Sequence, residues 1–173
     1  AGCADCHSGP LMADEGFHPL GLPPFGPGRT RQWDPMVRDV GHMGESNRLE
    51  DAYAFRPPML RNVALTAPYG HNGAYPTLEG IVRHHMNPLT AFEAWAPDQA
   101  DLPEVPGLAA IDFAVRQDSR EMARQRAALR AATPALKDAQ VSAIVAFLEG
   151  LTGQSAQLGR LGIPSEVPSG LPV

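Results

Sequence analysis

Two cysteines separated by two residues, with a histidine directly behind them, constrain this chain more than any other stretch: Cys3-Ala4-Asp5-Cys6-His7. C-x-x-C-H is the attachment pattern of a c-type haem. On one helical turn the two thiols reach the two vinyl groups at a porphyrin edge, and the next side chain can turn its imidazole onto the iron. Thioether bonds at Cys3 and Cys6 and a proximal iron ligand at His7 are therefore expected. A C-x-x-C pair also occurs in zinc sites and redox dithiols, but zinc needs a second ligand pair and a dithiol needs no fixed histidine. The chain has no other cysteine, and the adjacent His84-His85 lack the usual ligand spacing.

A covalent haem also accounts for an unusual composition. The 173 residues suffice for one domain. They include 18 Pro and 17 Gly, well above average usage, so much of the chain should be loop and turn. A large apolar ring supplies core that such a sequence does not. The net charge of −5, without a Lys/Arg-rich run, argues against a nucleic-acid partner. No apolar run approaches membrane-spanning length. Haem attachment in bacteria takes place outside the cytoplasm, so an exported, periplasmic protein is expected, with its leader upstream of Ala1. Small c-type haem domains usually carry a helix before the attachment motif, and only Ala1-Gly2 precede it here. An upstream domain is therefore expected to lie outside this chain.

The rest reads as a mainly α, cytochrome c-like helical domain around one covalent haem, with long Pro/Gly-rich loops. Residues 1–153 form the domain, and 154–173 a Pro/Gly-rich tail along its surface. From Ser8 to about Glu50 the breakers predict an extended loop lining the haem, with Phe17, Leu20, Leu22, Phe25 and Trp33 turned inward. His18 and His42 read as surface or haem-propionate neighbours. A short helical or turn segment is predicted within Glu45 to Tyr53, and another turn within Leu60 to Leu65, stopped by Pro68.

The clearest helix of the first half starts at Pro76-Thr77, has Glu79 in its first turn and ends at Asn87-Pro88. Leu78, Ile81, Val82 and His85 fall at i, i+3, i+4 and i+7, on one face. At about 100° per residue one face presents a single side chain squarely to an iron. His85 is centred on the apolar stripe, Met86 lies at its edge and His84 is expected to face away. His85 is thus the expected sixth iron ligand, with Met86 as the alternative. Residues Asn87 to Gly107 read as loop, with Trp95 as packing. Two further helices are predicted, from Asp118 to Ala132 and from Thr133-Pro134 to about Leu151. The apolar face of the second is Leu136, Val141, Ile144, Val145, Leu148 and Leu151, and Gly153 is its stop.

The haem motif, followed by Phe55 to Asn62, then Leu65-Thr66-Ala67-Pro68-Tyr69-Gly70-His71-Asn72-Gly73 and Thr77-Leu78-Glu79, resembles the C-terminal haem domain of the bacterial di-haem cytochrome c peroxidase and MauG family. The match is dense over about residues 55 to 90 and looser elsewhere. The resemblance implies two facing c-type domains, the N-terminal haem meeting peroxide and the C-terminal haem relaying electrons to it. This chain resembles the relay half, so a second haem domain or chain and a redox donor protein are implied partners. In the family the sixth ligand is a Met or Tyr at the position matching His85. The resemblance further implies calcium held by backbone carbonyls matching Thr66 and Pro68, and places His71 beside the haem environment. A stand-alone mono-haem carrier cytochrome is the alternative function, and a MauG-type oxidase shares the same motifs.

Overall fold

The computed structural model describes residues 2–26, 28, 34, 38–103, 105–129, 136–157 and 169–170. Among them the regular structure is helical, with no strand beyond two isolated bridges, His18 to Phe55 and Tyr69 to Tyr75. The eight α-helices are α1 (Met43–Ser46), α2 (Leu78–Met86), α3 (Pro88–Ala94), α4 (Ala109–Asp112), α5 (Ala114–Gln117), α6 (Ser119–Ala128), α7 (Asp138–Gly150) and α8 (Gln154–Gln157). Short 3₁₀ turns cover Cys3–Asp5, Leu49–Asp51, Val63–Leu65 and Pro97–Gln99. No helix among the described residues is long and apolar enough to cross a membrane.

The core sits between α2 and α7, which pack on each other. Leu78 and Val82 from α2 meet Val141 and Leu148 from α7, and Phe25, Tyr69, Ala74, Tyr75 and Trp95 complete the cluster. The periodicity of both helices marks these apolar positions. Thr77 caps α2 by accepting from the Gly80 N–H at 3.1 Å, which satisfies one of the donors a helix start leaves open. The far end of α7 is tied back by Asn62, whose Oδ1 accepts from the Gly153 N–H at 2.9 Å while its own N–H donates to the Leu151 carbonyl.

Several expectations need correction. Asn87-Pro88 ends α2 but also starts α3, in a stretch expected to be loop. Asn87 Oδ1 accepts from the Thr90 N–H at 3.1 Å and Pro88 occupies the first turn, where its missing N–H costs nothing. The predicted helix from Asp118 runs only Ser119–Ala128, with Asp118 accepting from the Arg120 and Glu121 N–H groups as its cap. The last helix begins at Asp138, where the Gln140 side chain accepts from the Lys137 N–H at 3.0 Å. Thr133-Pro134, its expected start, and Trp33, an expected inward contact, lie outside the described residues. Of the tail, residues 154–157 form α8. Phe17 does not turn inward: it is 43 % exposed and stacks on His42 with ring centroids 3.7 Å apart. Phe25 is buried, stacked on Trp95 at 5.2 Å.

A second anchor holds α6 to the distant loop that carries Arg38. Glu121 is fully enclosed, takes a hydrogen bond from Arg38 and another from Gln125 Nε2 at 3.2 Å. Arg38 also clasps Asp34, from Nε at 3.0 Å and Nη2 at 2.8 Å. Burial, with Glu121 beside it, pushes the Tyr53 hydroxyl well above the usual tyrosine range.

Candidate haem site

Cys3–Asp5 make a single 3₁₀ turn, closed by the Asp5 and Cys6 N–H groups on the Gly2 and Cys3 carbonyls. The turn brings both thiols and the following imidazole to one end of the chain. Cys3 is exposed and Cys6 partly buried, and both are free thiols. Burial pushes the Cys6 thiol up, and the charges of Asp14, Asp5 and Cys3 add to this, so the neutral thiol is favoured. His7 Nδ1 donates to the Met12 carbonyl at 3.0 Å. Such a bond fixes the ring orientation and the tautomer, leaving Nε2 as the nitrogen for a metal.

His85 follows the same pattern. Its Nδ1 donates to the Ile81 carbonyl one turn back at 2.8 Å. Burial pulls its imidazole below the usual histidine range; the Ile81 bond opposes this, and the nearby His7 adds to it. Neutral imidazole is the ligating form. Two histidines, each bonded through Nδ1 to a backbone carbonyl, match the pattern in which a metal-ligating imidazole is held by its other ring nitrogen. The two thiols precede His7 on and just after the Cys3–Asp5 turn, in the order a c-type haem requires.

The structure places His84 differently from the expectation that it faces away from the interior. It is 1 % exposed, the most enclosed of the histidines. Its Nε2 donates to the Leu20 carbonyl at 2.8 Å, and the Tyr75 hydroxyl bonds its Nδ1 at 2.8 Å. Burial pulls its pKa down to about 4, partly opposed by the Leu20 bond and reinforced by His85. The ring is therefore neutral, Nε2 carries the proton and Nδ1 accepts from Tyr75. Helical periodicity reads only the face that α2 turns to α7. The opposite face is covered by a loop more than 60 residues earlier in the chain, which no local pattern reports.

The other expected residues have distinct settings. His71 Nε2 donates to Asp39 at 2.8 Å and its ring stacks on Phe55 at 3.9 Å. It borders a cavity of about 400 Å³ with Phe25, Tyr53, Phe55 and Asn72; none of Cys3, Cys6, His7 or His85 is on that wall. Thr66 and Pro68 are exposed on the turn after Val63–Leu65, and no hydrogen bond reaches either carbonyl among the described residues. Cys6 Sγ, an Asp14 oxygen and a His18 nitrogen lie within 4.8 Å of one another. A sulfur converted to a thioether loses the thiolate that would make this cluster a strong metal site.

No family model matches the chain. It is 42 % identical over 84 residues to cytochrome c peroxidase Ccp of Escherichia coli, covering 47 % of this chain and 17 % of the relative. It is 30 % identical over 157 residues to cytochrome-c peroxidase IdrP1 of Denitromonas iodatirespirans, covering 80 % and 39 %. Methylamine utilization protein MauG of Methylorubrum extorquens is 33 % identical over 99 residues, covering 54 % and 25 %. Among solved structures, a MauG-like protein associated with microbial copper homeostasis shares the fold, with a TM-score of 0.52 and 23 % identity over 88 % of this chain and 43 % of that one. The chain thus spans less than half the length of these relatives. On the identity to peroxidases and MauG proteins alike, together with the shared helical fold, the chain belongs to the di-haem cytochrome c peroxidase and MauG family.

Proposed function

We propose that this chain is the electron-transfer half of a di-haem peroxidase-like oxidoreductase, holding one covalent haem c and passing electrons to a peroxide-reacting haem on another domain or chain. The single observation that carries the reading is that the motif histidine His7 and the α2 histidine His85 are each oriented through Nδ1 by a backbone carbonyl, as metal-ligating histidines are. The bound haem supplies one-electron redox chemistry. Cys3 and Cys6 would hold the ring, and His7 and His85 would ligate the iron. With both imidazoles as ligands this chain would offer peroxide no open iron site, and peroxide reduction would belong to the partner haem. The relatives' names as peroxidases and MauG proteins support the oxidoreductase class.

Two imidazoles hold the potential below that of an imidazole–thioether pair. A lower-potential relay than a His/Met haem follows. The bare carbonyls of Thr66 and Pro68 are available to a calcium ion at the boundary with the partner domain, and His71 steadies the loop between them and α2 through Asp39. Haem attachment places the protein in the periplasm.

The test is the ferric haem protein, read by EPR before and after addition of hydrogen peroxide. Low-spin bis-imidazole signals unchanged by peroxide are expected. A high-spin or His/Met resting signal, or turnover of peroxide by this chain alone, contradicts the assignment.

A further inference from the structure

The C-terminal turn of α2 offers two candidate ligands on neighbouring spokes, His85 and Met86, separated by about 100° of helix rotation. Which of them meets the iron therefore depends on the roll of the helix about its own axis. A nine-residue helix capped at one end by Thr77 is not fixed in roll by its cap alone. The apolar contacts of Leu78 and Val82 with α7 are not directional, and the polar link between the two helices, Arg83 to Asp138 at 2.9 Å, is an exposed ion pair that holds a helix weakly.

The back of the helix carries directional contacts. His84 is bonded at both ring nitrogens, to the Leu20 carbonyl and the Tyr75 hydroxyl, each at 2.8 Å. Tyr75 is itself a rigid strut. Its N–H and carbonyl pair with Tyr69 at 3.0 and 2.7 Å, and the neighbouring Ala74 carbonyl accepts from Trp95 Nε1 at 3.0 Å. Its ring lies against Gly80, where an added Cβ would come within 3.2 Å of the Tyr75 ring. Gly80 and His84 are i and i+4, so the tyrosine runs along one helix face from the gap left by the glycine to the imidazole one turn on. Leu20 is equally constrained. The next residue, Gly21, has φ +61°, and a Cβ there would meet the Leu129 side chain at 2.1 Å, so the loop turns at a point that favours glycine.

We infer that His84 is a positioning residue: the Leu20–His84–Tyr75 bridge sets the roll of α2 so that His85, and not Met86, is presented to the haem iron. The inference rests on the reading of His85 as the sixth ligand and adds the residue that selects it. His84 does not touch the iron. It acts through the rotation it denies to the helix, because a roll that brought Met86 forward would pull the His84 ring off both partners and bury its two nitrogens without them.

The test compares five holoproteins, wild type, His84→Leu, His84→Leu/Met86→Leu, Tyr75→Phe and His84→Gln, by ferric EPR, by the methionine–iron charge-transfer band at the red edge of the absorption spectrum and by midpoint potential. In wild type the bis-imidazole spectrum is expected. In His84→Leu the methionine–iron band should emerge and the potential should shift upward, and adding Met86→Leu should abolish the band. Tyr75→Phe, which removes one bond, should shift the potential the same way by a smaller amount. His84→Gln, whose amide nitrogen can reach the Leu20 carbonyl, should stay closer to wild type than His84→Leu does. If His84→Leu does not retain haem, an upward shift in Tyr75→Phe with a near-wild-type His84→Gln supports the inference, and no shift in Tyr75→Phe overturns it. Variants indistinguishable from a bis-imidazole wild type overturn the positioning role and leave the ligand assignment standing. A wild type that lacks bis-imidazole signals overturns the ligand assignment and the inference with it.

Discussion

Replacing His84 by glutamine should flatten the acid limb of this protein's stability curve. The native imidazole titrates near pH 4, held neutral mainly by burial, against an ordinary value of 6.5 in the unfolded chain. Between those values the unfolded state binds a proton that the native state refuses. Stability is therefore complete above the unfolded pKa and is lost as pH falls towards the folded one. The full difference corresponds to about 3 kcal/mol, of which about 2 kcal/mol is gone by about pH 5. The residue is almost wholly enclosed, so solvent screening removes little of this. His84→Gln has no such titration. At neutral pH it should be less stable than wild type by about 1 kcal/mol, the net worth of one lost hydrogen bond. Near pH 5 the two proteins should converge or cross. Urea unfolding of both haem-loaded proteins at about pH 7.5 and about pH 5 reads the difference of differences, and groups that titrate identically in the two cancel. Parallel stability curves across that interval would refute the reasoning, because they would mean that the His84 ring is not held neutral by its burial.

Three further outcomes follow from the packing. Glu121→Ala removes an enclosed carboxylate and strands the Gln125 amide, while Arg38 keeps Asp34; a loss of about 3 kcal/mol in urea unfolding is expected, and under 1 kcal/mol would show that the pair contributes little. Asn87→Ala, which deletes the α3 cap but not Pro88, should cost about 1 kcal/mol by the same measurement. Trp95→Phe leaves the Ala74 carbonyl without its donor and takes the larger ring from beneath Arg116, whose guanidinium carbon sits 4.8 Å from the ring centre. A drop of at least about 1 kcal/mol in thermal or urea unfolding is expected.

The local patterns carried far in this chain, and they stopped at identifiable points. The spacing of Leu78 and Val82, and of Val141 and Leu148, marks the faces along which α2 and α7 meet, because helix burial against a helix is periodic. Asn87-Pro88 was legible in kind but ambiguous in direction: asparagine followed by proline both ends one helix and caps the next, and only the Thr90 N–H bond distinguishes the two. His84 was not legible, since its partners are a loop carbonyl and a tyrosine whose approach depends on a glycine one turn earlier. The Glu121–Arg38 pair was missed for the same reason, being a contact between residues 83 apart that leaves no periodic trace. The five-residue motif at the start is different. Its spacing is set by the geometry of the group it would hold, so the sequence alone points to its chemistry.

That motif is also where the account can be tested most directly. The chain, expressed behind a periplasmic export signal in cells whose cytochrome c maturation is active, should be purified and its intact mass measured after denaturation. Alongside it, the Cys3→Ala/Cys6→Ala variant should be measured in the same way. The account predicts that the stretch from Cys3 to His7 carries one haem that survives denaturation and disappears in the variant. A polypeptide that emerges without covalent haem in cells that mature a control cytochrome would contradict it, as would a haem mass unaffected by the loss of both cysteines.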